Sequence, residues 1–334
     1  MIKIRGLILA ITLSLSFAIL VCFVSNNLHV RFENRPLTIE QQFALLKGES
    51  WYCINTLVYS SYWKNRILFP CLLYGVSKIH FLTTSQWYLI LRLMTAFLAF
   101  LIFWYLTVSI GKTDYKTAGF AMGLLAYELI FTFTYGMEFP TDFLDVIFIS
   151  LFLWASLCRN RRMLLAAAIL AAANRESSVF AGLIWIALYG IDSRRRLRFP
   201  EISFAALVSL ASYTIVVGLR FLLGGNKVMN QQLLTGWPEL VSNWRGFIAQ
   251  PTYGSWPFLW FAIVTPVFLW IWVNRVFLSP QHKRLLAVAA LITCITFVFG
   301  TLSEPRTFIP SFVIFILVAA LAEESSKLNP RNSH

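Results

Sequence analysis

Residues 163–191 are apolar but are broken at their centre by Asn174-Arg175-Glu176. An ionisable pair inside a hydrophobic segment costs free energy that a partner or a task must offset, so it marks a functional site by default. A guanidinium there suits recognition of phosphate or carboxylate through its planar fork of donors. A carboxylate beside it can take a proton from a reacting hydroxyl or hold a cation. The same residue types recur near the ends of other apolar runs: Arg92, Glu128, Arg220, the connection Glu138-Phe139-Pro140-Thr141-Asp142, and Ser303-Glu304-Pro305-Arg306.

The elements that must position Arg175 and Glu176 follow from the flanks. Arg159-Asn160-Arg161-Arg162 precedes the stretch and Arg194-Arg195-Arg196-Leu197-Arg198 follows it. Basic clusters stay on the inner side of a membrane, so the chain goes out and returns between them. Each arm is then roughly eleven or fifteen residues long against the ~20 of a full span. The apex is expected at or below the outer surface.

The wider chain supports a membrane setting. Its 334 residues are 58% hydrophobic and 13% charged, with no stretch left for a soluble domain. The fold class expected is all-α, a polytopic helical membrane protein of about ten membrane helices and one integral domain over 1–334. Apolar runs at about 6–25, 86–110, 117–136, 143–158, 163–173, 177–191, 202–223, 256–274, 285–302 and 307–322 thread as alternating spans. Lys3/Arg5, Lys112/Lys116, the two arginine clusters, Arg275/Lys283/Arg284 and Lys327/Arg331 then all fall inside, with both termini. The net charge is +13, but the basic residues sit in short clusters between apolar runs, which is the signature of membrane topology, and no nucleic-acid partner is expected.

The N-terminal run to Val24 reads as an uncleaved anchor in the cytoplasmic membrane. Residues 26–86 form a long external loop, in which 67–82 is read as a helix lying on or dipping into the outer face, and 224–255 form a second. Of five cysteines, Cys53 and Cys71 share the first loop and are read as free thiols rather than a pair. No Cys and His spacing matches a metal site.

With this threading Glu33, Glu40, Glu49, Glu138, Asp142, Asp145, Glu239 and Glu304 are external. The charges within spans, Arg92, Glu128, Arg175, Glu176 and Arg220, all lie in the outer half. Singly, each has a bland account: Arg92 or Arg220 snorkels, Glu128 pairs with an arginine, Asp142 caps a helix, and Glu239 and Asp145 are solvated loop charges. Together they point to a shared external cavity, where Arg92, Arg175 and Arg306 suit a diphosphate or phosphate ester.

The layout resembles the GT-C membrane glycosyltransferases that use polyprenyl-phosphate-linked sugars, of the protein O-mannosyltransferase and aminoarabinose-transferase type. The pieces that carry the likeness are Glu33, Phe43-Ala44-Leu45-Leu46-Lys47-Gly48, Arg66-Ile67-Leu68-Phe69-Pro70, Leu91-Arg92-Leu93, Glu138 to Asp142 and Ala166 to Arg175. They cover roughly residues 1–200. The early acidic residue of that group is usually Asp, so Glu33, Glu40 and Glu49 all stay open as its match. No Asp-x-Asp or Asp-x-Glu pair is present, which leaves use of a divalent cation open.

The resemblance implies an inverting transfer on the external face from a polyprenyl-phosphate sugar to a glycan, lipid or protein acceptor. Glu33 and Asp142 would be catalytic, and Arg92, Glu138, Arg175, Glu176, Glu304 and Arg306 would bind substrate. The rival expectation is a transporter or flippase of a lipid-linked or anionic substrate, which also places charges within broken helices.

Overall fold

The computed structural model describes residues 4–32, 68–79, 81–133, 140–191, 196–224, 256–299 and 305–328, with Val241. Among them the chain is helical, with no strand beyond an isolated bridge between Ile191 and Leu197. The helices are α1 (Ile4–Phe32), α2 (Leu68–Ser77), α3 (Thr84–Tyr105), α4 (Tyr115–Phe133), α5 (Pro140–Leu157), α6 (Arg161–Ala172), α7 (Phe180–Tyr189), α8 (Phe199–Gly224), α9 (Trp256–Val273), α10 (Pro280–Phe299) and α11 (Ile309–Leu328).

Local sequence sets several boundaries. Thr83 caps α3 through a reciprocal box with Gln86, its hydroxyl accepting the Gln86 N–H at 3.3 Å and its own N–H reaching Gln86 Oε1 at 2.9 Å. Asn160 caps α6 by accepting the Met163 N–H at 3.0 Å. Pro140 opens α5, where its missing N–H costs nothing. The far end of α3 widens into a π-helical turn over Leu106–Ile110.

Among the described residues, five helical segments are long and apolar enough to cross a membrane: Ile4–Val24, Gln86–Ile110, Phe199–Leu219, Pro280–Val298 and Ile309–Leu328. The other apolar runs of the expected threading form α4 to α7 and α9, which are shorter or carry charged residues. Large apolar side chains on α1 and α8 face outward, with Phe23 69% and Leu210 62% exposed, a surface suited to hydrocarbon rather than water.

The interior is built around α11 and α5. Residues 309–320 are all buried where α11 packs on α4, α5, α9 and α10. Residues 141–150 are all buried where α5 packs on α3, α6, α7 and α11. The face of α5 that carries Asp142 and Asp145 is therefore inside the bundle.

Within the segment 67–82 the described residues form one short helix. Helix α2 has ten residues, about 15 Å of rise against the ~30 Å of a hydrocarbon core, and α3 begins at Thr84. Its first residue is tied to the expected apex, because the Leu68 N–H donates to the Ala173 carbonyl at 3.0 Å.

Candidate functional site

Helices α6 and α7 form an antiparallel hairpin against α5. At one end the Tyr189 hydroxyl donates to the Ser156 carbonyl at 2.6 Å, and at the other Arg175 meets Asp142 and Asp145. From Ser156 to Asp145 is about 17 Å of helix, so the hairpin turns back well short of a membrane thickness. This is the short-armed apex that the flanking arginines lead one to expect.

The turn is made by abandoning helical geometry for one residue. Helix α6 ends at Ala172, Arg175 is extended at φ −163° and ψ 159°, and a 3-10 turn over Glu176–Val179 leads into α7. The extended residue directs the guanidinium toward the first turns of α5. There its Nη1 donates to Asp142 Oδ1 at 3.0 Å and to Asp145 Oδ2 at 2.5 Å. Spacing of three residues puts both carboxylates on one helix face, which lets a single nitrogen bridge them.

Neighbouring polar groups complete the cluster. Asn174 Nδ2 donates to Asp145 Oδ1 at 3.0 Å and to the Thr141 carbonyl at 3.1 Å. The Ser177 hydroxyl donates to Asp145 Oδ1 at 3.0 Å. Arg175 is 5% exposed, Asp145 1%, and Asp142 and Asn174 not at all, so these charges are paired away from water. Arg175 Nη2 and Asn174 Oδ1 are buried with no hydrogen-bond partner among the described residues. One donor and one acceptor are thus left over at the same turn, which a ligand with both functions would satisfy.

Of the residues expected from sequence, Asp142 and Arg175 come together. Glu176 opens the adjoining 3-10 turn and is partly buried. Arg92 is buried on α3 and donates to the Cys22 carbonyl of α1 at 3.1 Å. Glu33, Glu138 and Glu304 lie outside the described residues, as do Glu40, Glu49, Cys53 and most of 224–255. Arg306 lies in the 3-10 turn Pro305–Phe308, with its side chain outside the described set. Cys71 is a free thiol among the described residues.

Asp145 is a correction. Read singly it is a solvated loop charge, yet it is the most bonded acid of the cluster, because α5 starts at Pro140 and carries it one turn into the bundle. The signal that finds it is the spacing Asp142-x-x-Asp145 at the start of an apolar run. Glu128 on α4 differs from expectation too: it is 1% exposed, and neither carboxyl oxygen has a hydrogen-bond partner among the described residues.

Among the described residues no group of three or more His, Cys, Asp or Glu is placed to hold a metal. A divalent cation at Asp142 and Asp145 would have to displace Arg175 Nη1 from both. Compared with protein-family models, curated proteins and solved structures, the chain gives no match.

Proposed function

We propose that this chain is a membrane glycosyltransferase that moves a sugar from a polyprenyl-phosphate-linked donor to an acceptor hydroxyl at the end of the bundle where Arg175 lies. The observation that carries this reading is the buried guanidinium of Arg175, anchored through Nη1, with Nη2 unpartnered among the described residues. A phosphate oxygen is the acceptor such a nitrogen suits best, and in a water-poor site the fixed cation stabilises a leaving phosphate strongly.

In this reading the acceptor oxygen attacks the anomeric carbon from the face opposite the phosphate. The bond from that carbon to the phosphate oxygen breaks, and its electron pair leaves with the polyprenyl phosphate. The hydroxyl proton passes to a carboxylate, Glu33 by the resemblance, with Asp142 as the described candidate within the cluster. Arg92, Arg306, Glu138, Glu176 and Glu304 are assigned to binding donor or acceptor, and the site belongs to the external face.

The test is mass spectrometry of polyprenyl-linked lipids and surface glycans in cells with the wild-type gene, without it, and with Arg175→Lys or Asp142→Asn at matched membrane levels. Accumulation of one lipid-linked sugar with loss of the matching glycan residue supports transfer. Unchanged pools overturn it.

A transporter or flippase of a lipid-linked or anionic substrate is favoured by a different observation, Glu128 buried on α4 with no hydrogen-bond partner among the described residues. Carriers use such groups for protons. That reading requires a lipid-linked sugar of normal total amount retained on one leaflet when the gene is absent.

A further inference from the structure

The opposite end of the α6–α7 hairpin carries a second ionic cluster that glycosyl transfer does not use. Glu201, 6% exposed in the first turn of α8, accepts from Arg159 Nη2 at 3.3 Å, Arg161 Nη2 at 2.8 Å and Trp185 Nε1 at 3.0 Å. The Arg159 guanidinium lies over the Tyr189 ring at 5.3 Å, and that of Arg161 over Phe204 at 5.1 Å. Both long side chains are therefore already ordered, which removes much of the entropic cost of gripping a ligand.

Two more arginines stand beside them. Arg162 follows in α6, and the Arg198 carbonyl accepts the Glu201 N–H at 3.0 Å; both side chains are exposed. Two guanidiniums thus hold one carboxylate, and two further exposed arginines lie within three residues of these contacts in sequence. All four stand where α6 and α8 begin, and helix starts add positive partial charge of their own. Leu197 and Phe199, 59% and 72% exposed, border the same arginines with bare apolar surface.

We propose that Arg159 and Arg161, held by Glu201, form with the exposed Arg162 and Arg198 the headgroup site of an anionic phospholipid. The guanidiniums meet the phosphodiester, and the acyl chains run over the apolar border. A free phosphate would leave Leu197 and Phe199 exposed to water, whereas a lipid covers them. Positive-inside topology requires only that basic residues be present in a loop. It does not require a buried carboxylate that pins two of them over aromatic rings. The inference rests on a membrane location and not on glycosyl transfer.

The test uses the purified full chain in neutral detergent micelles, with native mass spectrometry and thermal unfolding on addition of phosphatidylglycerol, phosphatidylcholine or inorganic phosphate. Phosphatidylglycerol is expected to be retained in preference to phosphatidylcholine and to raise Tm, with inorganic phosphate inert. Arg162→Gln and Arg198→Gln remove no hydrogen bond described here and should leave Tm in phosphatidylcholine unchanged. Each should lower the phosphatidylglycerol preference about fivefold, and the pair should multiply. Equal retention of the two lipids, an equal effect of inorganic phosphate, or full preference in the double variant overturns the proposal.

Discussion

Asn174 holds one oxygen of the Asp145 carboxylate at 3.0 Å while its neighbour Arg175 holds the other at 2.5 Å. Two consecutive residues at the hairpin turn therefore grip both oxygens of one acid on α5. The grip fixes the turn in register with α5 and orients the guanidinium at the same time. A site that must present one nitrogen to a ligand needs both constraints.

Asp145 should be the acid whose loss matters most for folding. Asp145→Asn presents an amide to donors on Arg175, Asn174 and Ser177, and removing one partner of a buried ion pair typically costs about 3–5 kcal/mol. Ser177→Ala removes one neutral donor and should cost about 1 kcal/mol. Thermal or denaturant unfolding in detergent micelles ranks the two; equal losses would show that Asp145 is not the hub.

Arg175 and Asp145 should be strongly coupled. Replacing both with apolar residues removes the charge that a single replacement strands, so Arg175→Met/Asp145→Leu is expected to be less destabilised than the sum of the single variants, by about 1–3 kcal/mol. A double-mutant cycle on unfolding free energy measures this directly. Additive losses would argue against a direct pair.

Helices α7 and α8 approach closely at Gly182, where a methyl group would run into the Ala205 carbonyl and the Ser209 hydroxyl. Gly182→Ala should destabilise by about 1–3 kcal/mol, since a backbone carbonyl cannot move aside cheaply. Gly218→Ala, which meets nothing within 4 Å, should be neutral or stabilise by up to ~1 kcal/mol through helix propensity. Comparing the Tm of the two variants checks the packing.

At the other end of α4, Asp114 caps the helix. Its carboxyl is held down at about 2, first by the Thr117 N–H, which donates at 2.7 Å, and also by Lys327. A depressed carboxyl contributes stability that is present above its unfolded value near ~4 and is lost as pH falls toward the folded value. The group is largely solvent-exposed, so the contribution should be that of a cap, about 1 kcal/mol. Asp114→Ala should lower Tm at neutral pH by this amount and converge with wild type below about pH 2. A constant gap across that window would contradict it.

The hairpin and its buried apex were legible because three signals agree: an apolar run, basic clusters at both flanks, and one polar interruption at Asn174-Arg175-Glu176. A helix within 67–82 was legible from its apolar run alone. What the sequence did not reveal is which acid Arg175 meets. Asp142 and Asp145 lie about thirty residues away, and helix-face spacing says that they share a side without saying which helix packs on it. Glu201 was equally hidden: nothing in its sequence neighbourhood singles it out, and only the packing of α8 on α6 and α7 buries it.

Helix α11 is enclosed by α4, α5, α9 and α10, and it follows each of them in chain order. During synthesis α4, α5, α9 and α10 are therefore made before the helix they pack on. Until α11 arrives, the buried faces of α4 and α5, with Glu128 on the first, lack their neighbour. Biogenesis of this protein accordingly includes an interval in which an incompletely packed bundle awaits its centre, and that is when an insertase or intramembrane chaperone would have most to shield.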